Sequence, residues 1–434
     1  MRSDAENIKK NIGKIIDEAK NERWFPLKET DSKAFEIIDV YSIREDEETP
    51  ILLIISAKNK RVNMILDTGK NGYSDSIKSG RISKLLDSVI DSSYHGKMEY
   101  NGRKDRLRES LKNIRPINAN QSNTSFILND KIIGKFMRTY SDVENPDFML
   151  PWKLWKETDF RDIPEPIGQV SYKNEQCLIT FSEYCKGSKD YWAYLMEADN
   201  PGDVWGSLGK IAEELAVITA KMHVSLSKLS GVDFAPEKFT YEDIEKMKFS
   251  LSEFSEKLIK MCKRLGNKNE YARNILEHQD RLVSVVKLLD KLPQSGLNKQ
   301  RIHGDYHLGQ ILKTEIGPKV IDFEGEPLRN AGERKQKQSP MKDVAGIMRS
   351  FDYLCCSKLG QLNSRSENIQ ENFLNSYIRE RKLLDSNFSK DSEFFREILP
   401  IFLMEKAIYE SIYEMENRPD WINIPLGYIS NLAY

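Results

Sequence analysis

Apolar residues recur along the chain with two different periods, and the change from one to the other divides it. Over residues 34–68 the runs AFEIIDVYSI, PILLIISA and RVNMILDT are rich in Ile and Val and separated by charged turn segments, which predicts an antiparallel sheet. Residues 80–92 then carry Ile82, Leu85, Leu86 and Ile90 on one helical face, and residues 107–114 predict another helix, so residues 1–114 read as a first α+β unit. After Pro116 a second strand group begins. SFILND, an Asn129-Asp130 turn and KIIGKFMRTY predict a hairpin, and residues 177–184 a further strand of the same sheet, so that 115–185 form an intermediate unit.

Beyond Lys186 the period becomes helical. Residues 207–226, 241–265, 271–292, 343–359, 367–384 and 394–417 all place apolar side chains at helix spacing, interrupted by short strands around 301–323. No internal repeat or low-complexity linker intervenes. A sheet-rich first part and a helical unit over 186–434 predict a two-lobed α+β protein.

Length agrees, since 434 residues exceed what one ordinary core organises. The 66 Lys and Arg against 67 Asp and Glu leave a net charge of -1, so no basic surplus awaits nucleic acid. Eighteen Tyr, eighteen Phe and six Trp supply bulk for packed cores. Residues 1–20 are polar and lysine-rich, and no stretch approaches about 18 continuous apolar residues. The expectation is a soluble cytoplasmic protein without a membrane partner. Five cysteines, Cys177, Cys185, Cys262, Cys355 and Cys356, make no Cys-x-x-Cys pair and read as buried thiols.

The chemistry concentrates in RIHGDYHLGQIL and the following KVIDFEGEP. His303, Gly304, Asp305, His307 and Gln310 fall within eight residues, and Asp322 closes a Val-Ile strand. Phosphoryl transfer requires a base that orients the attacking hydroxyl and oxygen ligands that hold magnesium on the phosphates. Asp305 suits the base; Gln310 and Asp322 offer magnesium a neutral and a charged oxygen. Zinc on His303 and His307 is the weaker reading, because no Cys or Glu-x-x-His partner accompanies them. A polar loop beside a buried strand is the bland one.

RIHGDYHLGQIL, VIDFEGEP, the SP-x-x-DVAGIMRSFDY run at 339–353 and NRPDWINIPL at 417–426 resemble, in order and spacing, the aminoglycoside phosphotransferase-like kinases and within them the maltokinases. RWF at 23–25 and QSNTS at 121–125 resemble the same family, while the rest of the first 110 residues resembles it faintly. The resemblance implies a bilobal eukaryotic-protein-kinase-like fold with an N-terminal cap, an intermediate sheet unit and a helical C-lobe, and ATP in the cleft between the last two. It implies Asp305 as catalytic base, Gln310 and Asp322 as magnesium ligands, and maltose 1-phosphate as product. Glucosamine or another hexose is the alternative acceptor, and a nucleotide-binding pseudokinase the alternative of another class.

Neither Gly-x-Gly-x-x-Gly nor Gly-x-x-x-x-Gly-Lys-Ser is present, so the phosphates must be held otherwise. Gln121, Ser122, Asn123, Thr124 and Ser125 precede a strand with amide, hydroxyl and backbone N–H donors. Alone they read as a polar turn; the resemblance makes them the phosphate-proximal loop. Lys135, in the apolar strand IIGKFMR, is a candidate for the α- and β-phosphates, with a solvent-facing lysine as the other reading. NPDFM at 145–149 departs from the family's Asn-Pro-x-x-Glu: Met149 stands where the lysine-pairing glutamate belongs, leaving Asp147 or Glu157 as substitutes. Pro151 makes the start of the helix there uncertain. FSEYC resembles the hinge whose backbone meets adenine, at Glu183 and Cys185.

Asp343 resembles the acid that props the catalytic loop, although an acid opening a helix is also favoured by the macrodipole. In the last long helix Lys406, Tyr409, Glu410, Tyr413, Glu414, Asn417 and Arg418 recur at three- and four-residue spacing. With Trp421 beyond them they offer a polar and aromatic face for a sugar. Ordinary i,i+4 pairing, such as Lys406 with Glu410, explains the same spacing. The expected substrate contacts are Asp305, His307, Tyr409, Glu410, Tyr413, Glu414, Arg418 and Trp421. His95, His223 and His278 read as structural side chains.

Overall fold

The computed structural model describes residues 2–42, 49–69, 72–91, 97–117, 123–139, 145–173, 176–197, 201–326, 329, 331–359 and 364–431. The chain forms two compact units, one of Met1–Trp152 with Pro164–Gly187 and one of Lys153–Ile163 with Ser188–Tyr434.

In the first unit, Glu36–Tyr41, Ile51–Ala57, Lys60–Gly69 and Gly72–Asp75 pair in sequence order as an antiparallel sheet. The turn between the second and third strands sits on Lys58 and Asn59, both with positive φ, the twist that a two-residue hairpin needs. PILLIISA is apolar at every position from Ile51 to Ile55 because both of its faces are covered. Leu53 and Ile55 pack with Ile8, Ile15 and Ile16 of the helix Arg2–Lys20, whereas Leu52 and Ile54 pack with Leu85, Phe126 and Phe181.

A second sheet has six strands in the order Met98–Gly102, Pro166–Tyr172, Gln176–Glu183, Ile132–Phe136, Thr124–Leu128, Arg115–Pro116. The expected hairpin is its centre, turning on Asn129 and Asp130 at φ 49° and 52°. Residues 107–114 are not the expected helix. The helix is Lys104–Glu109, its one buried side chain is Leu107, and Asn113 at φ 50° turns the chain away. Helix Pro146–Glu157 runs through Pro151, whose missing N–H releases only the Asp147 carbonyl.

The second unit is built on helices. Tyr241–Leu265 starts where sequence places it, because Thr240 and Asp243 bond reciprocally as a capping box. Residues 271–292, expected as one helix, break into Glu270–Glu277, Asp280–Lys287 and the 3-10 turns Leu288–Gln294. Between Ile275 and Leu282 the sequence offers only LEHQDR with Leu276, so the buried stripe lapses for almost two turns. Pro201–Ser227, Met341–Leu359, Ser364–Leu384 and Phe388–Asn417 supply the remaining long helices, and the hairpin of Ile311–Thr314 and Gly317–Val320 carries Lys189–Asp190 at its edge. Among the described residues no helix is long and apolar enough to cross a membrane. None of the five cysteines forms a disulfide; Cys262 and Cys355 are buried, while Cys177, Cys185 and Cys356 are half-buried, fewer buried than composition suggested.

Candidate active site

The loop before the hairpin Ile311–Val320 is held in place by one buried carboxylate. Asp343, on the first turn of helix Met341–Leu359, accepts the backbone N–H of His303 at 2.8 Å and of Gly304 at 2.9 Å. Its Oδ2 also accepts Nε2–H of His223 at 3.1 Å, and the Tyr377 hydroxyl meets the other ring nitrogen of His223 at 2.8 Å. Both partners of His223 are thus internal, and the histidine is a structural link to Asp343. Burial works to raise the Asp343 carboxyl, but the His223 hydrogen bond, the adjacent imidazoles and the Gly304 amide outweigh it and leave it below the ordinary carboxylate range. Gly304 itself stands at φ +87°, open to glycine without strain.

His303 shapes the next residue. Its Nε2 donates to the Ile321 carbonyl at 2.8 Å and its Nδ1 accepts the Asp305 N–H at 3.3 Å, one neutral tautomer serving both. Gln310 Nε2 donates to Asp322 Oδ2 at 3.2 Å, so the two expected magnesium ligands stand side by side. Asp322 has φ 66° where the chain leaves its strand.

Acidification loads these histidines unfavourably. Burial pushes both His223 and His307 below the ordinary value of 6.5, so the unfolded chain takes up protons that the folded chain refuses. Stability conferred by keeping them neutral is present above that value and is lost as pH falls below it. The thermal midpoint is therefore expected to drop between about pH 7.5 and about pH 5.5, and His223→Gln to flatten that drop. An unchanged slope in the variant counts against the buried neutral imidazole.

Asp305 faces a cavity of about 450 Å³ within the helical unit, inside the about 300–1,000 Å³ typical of small-molecule sites. All eight expected substrate contacts, Asp305, His307, Tyr409, Glu410, Tyr413, Glu414, Arg418 and Trp421, line it. Glu410 accepts Arg349 Nε at 3.0 Å, and Glu414 accepts Arg418 at 2.8 and 2.6 Å and the Tyr353 hydroxyl at 3.1 Å. Trp421 stacks on Tyr353 with ring centres 5.9 Å apart and approaches Trp192 at 6.0 Å. His307 accepts the Gly309 amide through Nδ1, and its Nε2 is 4.0 Å from Asp305 Oδ2.

Lys406 does not follow the alternative reading of i,i+4 pairing. Its Nζ donates to Glu326 Oε1 at 2.8 Å and Asp305 Oδ1 at 3.3 Å, because its helix directs it at the Asp305 loop instead of along itself to Glu410. Burial acts to raise the Asp305 carboxyl; Lys406 and the neighbouring imidazoles bring it below its ordinary value, which keeps it ionised. Sequence reasoning missed Asp190, Trp192, Ser350 and Tyr353 in this lining. Gly346, Ser350 and Tyr353 do recur at helix spacing, and that was the available signal. Gly346 is needed for close approach, since a Cβ there would lie 2.5 Å from the Tyr306 carbonyl oxygen.

On the first unit, Lys135 lies opposite Ser125 and Thr180 on its two neighbouring strands. Asp147 accepts its Nζ at 3.0 Å, supplying the carboxylate that Met149 cannot. Glu157 is engaged elsewhere, with Lys153 and Ser230. Asn123 Oδ1 accepts the Arg138 amide at 3.3 Å, and Thr124 Oγ1 accepts Arg138 Nε at 2.7 Å. Gln121 and Ser122, like His95, lie outside the described residues. Glu183 ends its strand with its amide on the Glu165 carbonyl at 2.9 Å and its carboxylate on the Glu165 amide at 3.2 Å; Cys185 follows, half-buried.

A sheet-borne Lys–Asp pair and a glycine-aspartate loop propped from a helix belong to an α+β protein-kinase-like fold. Solved structures of a glucosamine kinase share it across 92% of this chain, one with TM-score 0.72 and 17% identity over 93% of that chain. Another, in complex with glucosamine, ADP and inorganic phosphate, has TM-score 0.70 and 16% identity over 94% of its length. In sequence the chain is 27% identical over 153 residues to the glucosamine kinase of Streptacidiphilus jiangxiensis, spanning 33% of this chain and 34% of that protein. It is 21% identical over 332 residues to the glucosamine kinase of Mycolicibacterium smegmatis, spanning 73% of this chain and 79% of that protein. No family model matches.

Proposed function

We propose that this chain transfers the γ-phosphate of ATP to a hydroxyl of a small sugar. The observation that carries the reading is Asp305, ionised by its surroundings, at the wall of a cavity lined by hydroxyl, carboxylate and aromatic groups. Asp305 accepts the hydrogen bond of the attacking hydroxyl and takes its proton as the bond to phosphorus forms. His303 and Asp343 fix the loop so that this carboxylate needs no rearrangement. Lys135, steadied by Asp147, pairs with the phosphates, and residues 121–125 with the hinge at Glu183 and Cys185 complete the nucleotide side.

Gln310 and Asp322 fit magnesium: they stand side by side, joined through the Gln310 amide nitrogen, and with that amide turned over its oxygen and the carboxylate would form an oxygen-only donor set with few charges. When bound, the ion neutralises charge on the phosphates. The relatives bring glucosamine as a candidate acceptor, and the motif resemblance brings maltose. Because Asp147 partners Lys135, the Met149 departure gives a turnover-free reading no support. The test is ADP release from Mg-ATP with glucose, maltose and glucosamine. Sugar-dependent release is expected, and its absence with every sugar rejects the proposal.

A further inference from the structure

Three of the four acids that line the sugar cavity are matched by cations from within, and this bears on which sugar the proposed kinase accepts; the inference rests on that kinase reading. Asp305 pairs with Lys406, Glu410 with Arg349, and Glu414 with Arg418. The remaining acid of the lining, Asp190, caps its helix by accepting the Ala193 amide at 2.7 Å, beside Trp192.

Lys406 is fixed by more than one contact. Its side chain is 14% exposed and its strongest bond is to Glu326. Glu326 is in turn held by Arg329 at 3.2 Å; Arg329 reaches Glu405 at 3.0 Å, and Lys342 reaches the same carboxylate at 2.8 Å. The ammonium therefore stays beside Asp305 through a braced chain of ion pairs. A second ammonium arriving on the acceptor next to the base would meet this fixed like charge, and the carboxylate it needs is taken. An uncharged hydroxyl meets a donor in Lys406 and an acceptor in Asp305, both useful to it.

We propose that Lys406 determines acceptor specificity, restricting the reacting end of the cavity to uncharged sugars and disfavouring amino sugars against their uncharged counterparts. This is the repulsive half of recognition, built against the wrong substrate.

The experiment measures kcat/KM by ADP release for glucose, maltose and glucosamine at about pH 6, where an ordinary amine is protonated. It uses the full chain, Lys406→Met, and Lys406→Met with Glu326→Gln, the double variant keeping the local charge balanced. The wild-type protein is expected to prefer the better uncharged sugar by roughly tenfold or more, and the variants to lose most of that preference. Glucosamine used as well as or better than both uncharged sugars by the wild type overturns the inference and leaves the kinase reading standing. A preference that persists unchanged in folded variants overturns it too. If neither variant folds, the wild-type ratio alone decides. Should no sugar release ADP, the kinase reading fails and this inference fails with it.

Discussion

Asp305→Asn is expected to lower kcat by roughly 10²- to 10⁴-fold, the usual worth of a positioned general base. Asparagine keeps the size of the side chain and can still accept a hydrogen bond, but it cannot take the proton of the attacking hydroxyl. The fold should survive, because Lys406 retains its shorter bond to Glu326 when Asp305 loses its charge. KM for ATP should move little, since the substitution falls in the sugar cavity. ADP release at saturating Mg-ATP and sugar measures the effect, with circular dichroism as the check on folding. Turnover within about twofold of wild type would place the base elsewhere.

Asp343→Ala is the second large effect, and it acts on structure and turnover together. The buried carboxylate satisfies the amides of His303 and Gly304 and the Nε2–H of His223, and removing it leaves three donors facing a void. At about 1–3 kcal/mol for an unsatisfied buried group, a loss of about 2–5 kcal/mol is expected after relaxation. The loop that carries Asp305 loses its anchor at the same time, so kcat should fall even where the variant remains folded. Asp343→Asn keeps one acceptor and should fall between the two. The sign of the pH effect follows from the lowered carboxyl: its contribution is present above the ordinary value of 3.8 and is lost only as pH falls through the lower native one. Denaturant or thermal midpoints, measured beside kcat, test the expectation; an Ala variant with wild-type midpoint and turnover would rule out the propping role.

Several elements were legible because local chemistry agrees with the final packing. Asn129-Asp130 between two apolar runs tolerates positive φ and made its hairpin wherever the sheet lay. Thr240 with Asp243 placed a helix start by bonds that span three residues. The strands Met98–Gly102 and Pro166–Tyr172 escaped notice, since MEYNG and PIGQVSY are short and glycine-bearing and pair across more than sixty residues. The stripe from Tyr409 to Trp421 lines one cavity wall, but spacing alone did not show what each member touches. Its spacing allowed Lys406 to reach Glu410, whereas its helix in the fold points it at Asp305 and Glu326, 101 and 80 residues away.

By itself the sequence grouped the candidate site residues: His303, Asp305, Gln310 and Asp322 lie close along the chain, so a loop and a hairpin suffice to gather them. Tertiary structure decided what sets their properties. It chose Asp147 over Glu157 as the partner of Lys135, and it brought His223 and Asp343 beneath the loop and Lys406 beside Asp305 from remote elements. Periodicity identifies which face of a helix is buried or polar, but a carboxylate's ionisation and a cavity's charge depend on neighbours that meet only when the helices pack.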